Sequence, residues 1–257
     1  MEFPKRKALI PYITAGDPDL ATTEKLIYEL EKAGADVIEL GIPFSDPLAD
    51  GPVIQESHFR ALKKKTSLAD VFRLVAKVRR KSKIPIIFML SVNLVYKYGV
   101  NKFIERAGED GVHGVVIPDL PPEEEASEKF KILKESDLDT ILLVAPNTPE
   151  ERVEKICEQS SGFIYLVSLT GVTGVRKALS DTISASVKKI KKHTGLPVYV
   201  GFGISTPAQA KQAATVSDGV IVGSAIVKIL AEEKSKSAAV SKVAKFVKSL
   251  RKAIDAA

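Results

Sequence analysis

Eight short apolar runs alternate with amphipathic segments along the chain, and this alternation most constrains the fold. The runs are almost continuously apolar and rich in β-branched residues, as parallel strands buried on both faces are. They cover residues 9–14, 37–40, 84–90, 114–117, 140–144, 163–167, 198–201 and 219–222. Eight strand–helix units predict an α/β fold, a single (β/α)8 TIM barrel.

The segments between the runs have the periodicity of amphipathic helices. Helices are predicted at residues 21–33, 53–64, 68–81, 101–110, 123–135, 150–159, 181–192, 207–214 and about 235–253. Residues suited to the helix N-cap precede several of them, namely Asp19, Ser67, Thr148, Ser180 and Thr206. An open doubly wound sheet is the alternative, but it usually has fewer strands, and no early G-x-G-x-x-G motif is present. No linker divides the chain, so residues 1–257 are predicted to form one domain.

Composition narrows the functional class. The net charge is +6, but the basic residues are mixed with acids in helical segments, which indicates solvated helix faces rather than a nucleic-acid surface. No apolar run approaches the ~18 residues of a membrane span. The single cysteine, Cys157, excludes an internal disulfide framework and favours a reducing compartment, so a cytoplasmic location is expected. The chain has three Asn, four Gln and two Met, a shortage that hints at thermal adaptation.

The end of the second run carries the most informative chemistry, because active sites of such barrels lie in the loops after the strands. Glu39 shares a strand face with Val37. Burial of a carboxylate is costly and raises its pKa, which suits a general acid-base. The alternative is a Glu paired with a lysine at the barrel rim. Asp46 and Asp50 follow in a Pro- and Gly-rich loop, where each alone could be a turn residue or a helix cap.

Glycines follow the last two strands, at residues 201–205 and 223–226, and the second stretch predicts a short extra helix. Backbone N–H groups at helix starts bind anions, so these loops favour a phosphorylated small-molecule substrate. The alternative is glycine needed only for tight turns. Residues 168–174 could form a lid or a plain surface loop.

The other candidates are weaker. His58, His113 and His193 lack metal-ligand spacing, so they are interpreted as solvated or core residues and no metal site is predicted. Cys157 is interpreted as a buried inert thiol. Tyr165 is either a core residue or part of a substrate pocket.

Seven segments resemble the tryptophan synthase alpha subunit family. They are residues 11–18, 39–55, 118–121, 145–148, 171–174, 201–204 and 223–226, and the stretch Glu-Leu-Gly-Ile-Pro-Phe-Ser-Asp-Pro-Leu-Ala-Asp-Gly at 39–51 is the most specific. The resemblance implies a TIM barrel that cleaves indole-3-glycerol phosphate to indole and glyceraldehyde 3-phosphate. This retro-aldol reaction uses neither a Schiff base nor a metal.

The resemblance also implies residue roles. Glu39 would be the acid-base, and Asp50 would hold the indole N–H and stabilise the positive charge that develops on the ring. Tyr12 and Tyr165 would line the indole pocket, and Thr173 would lie in the lid. Phe202 is a further implied substrate-binding position. The phosphate would be surrounded by Gly174, Gly203, Gly223 and Ser224.

Family members work in an alpha-beta-beta-alpha complex, and the pyridoxal phosphate belongs to the beta subunit, so no cofactor is expected in this chain. The loop that bears Asp46 and the region around Pro121 resemble the partner-contacting surfaces. The segment 89–94 departs from the tyrosine-rich family pattern, and only seven residues precede Ala8 where many members have an extra helix. The departure at 89–94 keeps one alternative open, a chain that chiefly activates a beta subunit. The other alternative is another phosphate-binding barrel isomerase or synthase, which would share the glycine loops but would not explain Asp50 and its loop.

Overall fold

The predicted strands form one parallel sheet in the computed structural model, which describes residues 5–47, 50–120, 133, 135–167, 176–201 and 203–257. The strands are β1 Ala8–Thr14, β2 Ile38–Gly41, β3 Ile86–Met89, β4 Gly114–Val116, β5 Asp139–Ile141, β6 Leu143–Val144, β7 Ile164–Val167, β8 Val198–Gly201 and β9 Gly219–Val222. Their order is β5-β4-β3-β2-β1-β9-β8-β7-β6. Every described strand pair is parallel.

The sheet curls into a nearly closed barrel. β5 and β6 stand at opposite ends of the strand order, yet they are two pieces of the single predicted run 140–144, separated only by Leu142. The Leu142 carbonyl accepts a hydrogen bond from the Tyr165 N–H at 3.0 Å, so the interruption does not break the continuity with β7. The predicted TIM barrel is therefore confirmed, with the fifth strand divided in two.

Helices alternate with the strands and pack against the outside of the barrel. They are α1 Leu20–Lys32, α2 Pro52–Lys63, α3 Leu68–Arg79, α4 Val92–Tyr98, α5 Val100–Asp110, α6 Glu150–Gln159, α7 Arg176–Lys191, α8 Pro207–Val216, α9 Ser224–Glu232 and α10 Lys236–Ile254. α9 is the predicted extra helix after the last strand. The predicted helix at 123–135 lies mostly outside the described residues. Within the described part of the chain, no helix is both long and apolar enough to cross a membrane.

The helix starts test the predicted caps. The side chains of Asp19, Ser67 and Thr206 each accept a hydrogen bond from a backbone N–H in the first turn, as predicted. The prediction for Thr148 is wrong, because Pro149 is the N-cap and the Thr148 hydroxyl accepts from Ala145 N instead. The prediction for Ser180 is also wrong, since α7 already begins at Arg176.

Strand alternation divides the core into two shells. Residues that face into the barrel form one apolar cluster: Ala8, Ile10, Val37, Ile87, Val116, Ile141, Phe163, Tyr165, Tyr199 and Ile221. Their strand neighbours, such as Leu9, Ile38 and Phe88, pack against the helices instead. Glu39 follows Val37 by two residues and therefore faces into the barrel, as predicted.

At the opposite end of the barrel from the strand C-termini, one carboxylate joins β1 to the last helix. Asp36 accepts hydrogen bonds from Leu9 N at 2.8 Å, Arg6 at 2.8 Å and Arg251 at 2.9 Å. The side chains of Asp36 and Arg251 are each only 7% exposed. Arg251 also pairs with Asp255, whose side chain is 47% exposed.

We expect Asp36→Asn to lower the free energy of unfolding by about 3 kcal/mol, because it leaves the buried Arg251 charge without its buried partner. Asp255→Asn is the matched control, and loss of this exposed partner should cost under about 1 kcal/mol. Urea unfolding of both variants measures the difference. Equal losses would contradict the assignment of Asp36 as the principal partner.

Candidate active site

A cavity of about 440 Å³ opens at the C-terminal ends of the strands. Six of the predicted site residues line it: Tyr12, Asp50, Tyr165, Gly203, Gly223 and Ser224. They come from the loops or ends of β1, β2, β7, β8 and β9, so residues far apart in the sequence meet at one place. A more open groove of about 900 Å³ lies between α1 and α10, on solvated helix faces away from the strand ends.

The Glu39 carboxyl group lies inside the barrel, 0% exposed. Neither carboxylate oxygen has a hydrogen-bond partner among the described residues, so the interpretation as a lysine-paired glutamate finds no support there. Burial, and next the charge of Asp50, raise the pKa of Glu39 to about 8. A carboxyl group in this setting holds its proton at neutral pH and can act as an acid.

Asp50 lies on the loop between β2 and α2, with its side chain 13% exposed. It is not the helix cap that its position indicated, because Gly51 is the N-cap of α2 and no side chain caps this end. Burial raises the pKa of Asp50 to about 6. Asp50 lines the cavity, and Glu39 is buried behind the cavity wall, where the charge of Asp50 still acts on it.

Two tyrosines form part of the cavity wall, and both are 4% exposed. Burial raises the pKa of both, and the charges of Glu39 and Asp50 contribute. Each ring occupies space that a neighbouring strand leaves free by having glycine. A Cβ at Gly41 would lie 2.1 Å from Tyr12 Oη, and a Cβ at Gly201 would lie 2.6 Å from Tyr165 Oη.

The other side of the cavity is suited to an anion. Gly223 is the N-cap of α9 and has no side chain to bond the first N–H groups. The first N–H groups of a helix lack partners within it, so those of Ser224 and Ala225 at the cavity are suited to a phosphate. Gly203 has a φ of +73°, which favours glycine and shapes the adjacent β8 loop.

Part of the predicted site lies outside the described residues. Thr173, Gly174 and Phe202 lie outside the described residues, as do the rest of the predicted lid and Pro121. Asp46 is described and lines a smaller cavity of about 130 Å³ beside Asp50.

The segment 89–94, which departs from the family pattern, forms a hydrogen-bonded wall of this smaller cavity. The Ser91 hydroxyl donates to Asp119 Oδ2 at 2.6 Å, and Val92 N donates to Asp119 Oδ1 at 2.8 Å. Ser91 caps α4, a helix that the sequence reasoning missed because its apolar residues continue the third run. Asp119 thus joins the loops after β3 and β4.

His58 is a site residue that the sequence interpretation treated only as a solvated or core histidine. It is 4% exposed, and its Nε2 lies 3.5 Å from Asp50 Oδ2 and 3.2 Å from Tyr12 Oη. A single histidine on an amphipathic helix carries no sequence signal for such contacts, because they depend on the loop that folds over it.

The remaining chemical candidates lie away from this site. His113 accepts a hydrogen bond from Ile86 N, and His193 lies 3.3 Å from Glu150. Cys157 is buried, and burial raises the pKa of its thiol to about 11. Within the described ranges, no group of three His, Cys, Asp or Glu side chains is arranged to hold a metal ion.

Known proteins resemble this chain over most of its length. A family profile described as "Tryptophan synthase alpha chain" matches residues 1–255. The tryptophan synthase alpha chain of Geotalea uraniireducens (strain Rf4) is 54% identical, over 88% of this chain and 84% of that protein. The crystal structure of tryptophan synthase subunit alpha from Legionella pneumophila str. Paris has a TM-score of 0.89 at 39% identity, covering 98% of this chain and 94% of that one. A chain of the tryptophan synthase complex from Pyrococcus furiosus has a TM-score of 0.87 at 40% identity, covering 98% and 100%.

The buried Glu39 carboxyl group predicts a pH dependence of stability. Its pKa is about 8 in the folded chain and near 4.5 when unfolded, so the folded state binds the proton more tightly. Ionisation of Glu39 therefore lowers the free energy of unfolding as pH rises from about 4.5 to about 8. Glu39→Gln cannot ionise, and at pH 9 it should be more stable than the wild type by a few kcal/mol, with a smaller difference at pH 6.

Urea unfolding at pH 6 and pH 9 measures this difference. Glu56→Gln, on a side chain that is 73% exposed, is the control and should follow the wild-type pH dependence. Parallel pH curves for the wild type and Glu39→Gln would show that this carboxyl group is not sealed from water.

Proposed function

This chain belongs to the tryptophan synthase alpha chain family, lyases that act on indole-3-glycerol phosphate, and we propose that Glu39 and Asp50 perform the cleavage. The observation that carries the proposal is the pair of carboxyl groups in unlike surroundings. With pKa values of about 8 and about 6, Glu39 is protonated and Asp50 is ionised near pH 7. Such a pair divides the roles of proton donor and fixed negative charge between two residues of similar chemistry.

The reaction then proceeds by two proton transfers. Glu39 gives its proton to C3 of the indole ring. The carboxylate of Asp50 accepts a hydrogen bond from the indole N–H and stabilises the positive charge on the ring. The Glu39 carboxylate next removes the proton of the glycerol hydroxyl group. As that oxygen becomes a carbonyl, the bond between C3 and the glycerol carbon breaks and its electron pair returns to the ring. The products are indole and glyceraldehyde 3-phosphate, and Glu39 is protonated again.

The cavity walls support binding of this substrate. The rings of Tyr12 and Tyr165 offer an apolar surface to a flat indole, and the start of α9 at Ser224 offers N–H groups to the phosphate. Thr173, Gly174 and Phe202 are proposed to complete the site by the family resemblance. Every step uses protons and charges that the chain itself supplies.

Assembly is part of the same proposal. One of the similar solved structures is that of the tryptophan synthase complex from Pyrococcus furiosus, and we propose that this chain also binds a beta subunit, in an alpha-beta-beta-alpha complex. The loop that bears Asp46 and the region around Pro121 would contact the partner, and pyridoxal phosphate would belong to the partner. A cytoplasmic location is proposed on the single, buried cysteine.

The two carboxyl groups can be tested by substitution. We expect Glu39→Gln and Asp50→Asn each to lower kcat for indole release by about 10²–10⁴-fold, since each removes a proton transfer or a charge used in the transition state. The folded structure should survive, as circular dichroism can check. Glu56→Gln, on the exposed face of α2, is the control.

Near-normal turnover in both variants would rule out the proposed mechanism. Assays with a beta subunit distinguish the alternative of an activator. A wild-type chain that releases no indole with or without the partner, yet stimulates it, would replace the lyase by that function. Faster turnover of another sugar phosphate than of indole-3-glycerol phosphate would favour a different barrel enzyme.

The pKa values also predict a bell-shaped pH profile of kcat/KM. Activity should rise as Asp50 ionises near pH 6 and fall as Glu39 loses its proton near pH 8. The residual activity of Asp50→Asn should lack the acid limb. Indole release between pH 5 and pH 9 measures both limbs, and a flat profile through this range would contradict the assigned protonation states.

A further inference from the structure

The His58 ring is held by the loop on which Asp50 lies. Its Nδ1 accepts a hydrogen bond from the backbone N–H of Phe44 at 3.0 Å. A backbone N–H can only donate, so Nδ1 must carry a lone pair and no proton. In the neutral ring the proton is therefore on Nε2.

That Nε2 proton lies on the side of the ring that faces Tyr12 and Asp50. Nε2 lies 3.2 Å from Tyr12 Oη and 3.5 Å from Asp50 Oδ2, and both of these atoms can accept. The Tyr12 hydroxyl also lies 3.2 Å from Thr14 Oγ1, which is 2.6 Å from Ser57 Oγ. Ser57 Oγ donates to the carbonyl of Ile54 at 2.6 Å. The hydroxyl protons of Thr14 and Tyr12 can therefore point along this chain away from the ring, which leaves the Nε2–H available to the carboxylate.

The surroundings keep the ring neutral. A second proton on Nδ1 would face the Phe44 N–H, and burial lowers the pKa of His58 to about 4. The titratable groups that face the ring are Tyr12 from β1 and Asp50 from the β2 loop, and Asp46 and Asp119 line the adjoining cavity. His58 thus offers a donor without adding a charge.

Asp50 needs such a donor. Burial disfavours its ionised form, and a hydrogen bond to a carboxylate favours ionisation. A cation in the same place would offset the negative charge that the indole ring requires. No capping bond orients the carboxylate, because Gly51 is the N-cap of α2.

We propose that His58 is a positioning residue for the cleavage, a neutral imidazole that donates from Nε2 to Asp50 and holds this carboxylate ionised and directed at the cavity. The inference rests on the proposed role of Asp50. It assigns a function to a buried histidine 46 residues along the chain from Tyr12, through contacts that only the folded loop creates.

Two amide substitutions separate the two ring nitrogens. His58→Asn keeps an acceptor near the Nδ1 position for Phe44 and loses the donor near Asp50. His58→Gln places an amide donor near the Nε2 position. We expect His58→Asn to move the acid limb of the kcat/KM profile upward by about one pH unit. On that limb kcat/KM should therefore fall about tenfold, and the loss should disappear at higher pH. His58→Gln should stay within about threefold of the wild type.

A merely structural role predicts a different result, namely similar losses at every pH in both variants, and this would overturn the inference. Thermal unfolding of both variants shows whether they fold. The wild-type chain supplies a test that needs no variant: long-range ¹H–¹⁵N spectra of the histidine side chains between pH 5 and pH 8. We expect the Nε2-protonated neutral ring of His58 throughout, and a ring that is protonated on Nδ1 in this range would overturn the inference.

The two proposals fail in distinguishable ways. If Asp50→Asn keeps normal turnover, the proposed function fails, whatever the His58 spectra show. If Asp50→Asn is inactive while His58→Asn keeps the wild-type pH profile, the role of Asp50 stands and the role of His58 is wrong.

Discussion

The apolar packing of the barrel interior, which excludes water, is the constraint on which the site depends. A closed ring of parallel strands turns every second residue inward, and these positions are filled by apolar and aromatic side chains. Glu39 is on the same face within β2, so its carboxyl group is removed from water without a partner among the described residues. The unfavourable burial is what keeps this group protonated at neutral pH. The inward alternation of strand residues therefore builds the apolar core and also raises the pKa of Glu39.

The connection from β2 to α2 brings the rest of the site to that carboxyl group. The loop returns over the start of the helix, and His58 bonds the backbone of Phe44 near the loop's beginning while it faces Asp50 near its end. A polar network continues through Tyr12 to Thr14 and Ser57. This arrangement gives Asp50 surroundings that differ from those of Glu39, although both are carboxyl groups close to one cavity.

Much of the fold was predictable because strands buried on both faces have to be almost wholly apolar. The division of the fifth strand was not, since Leu142 is as apolar as its neighbours. The prediction of a helix cap was wrong where the helix begins at a different residue from the one expected, as at Ser180, which lies within α7. Glu39 stood out as a charge at the end of an apolar run, whereas His58 had no signal in the sequence. The single domain over 1–257 and the roles of all the site residues, including Thr173, Gly174 and Phe202, stay predictions.

The two glycines opposite the tyrosines have a further consequence. Tyr12 lies where a side chain at Gly41 would be, and Tyr165 lies where one at Gly201 would be. Each ring and the glycine beside it are therefore sterically coupled, since a larger residue on one strand requires a smaller one on the next. The position of each ring, and with it the shape of the cavity wall, therefore depends on both members of its pair. A larger residue at Gly41 or Gly201 would displace the ring beside it and thereby reshape the cavity wall from a position outside the cavity lining.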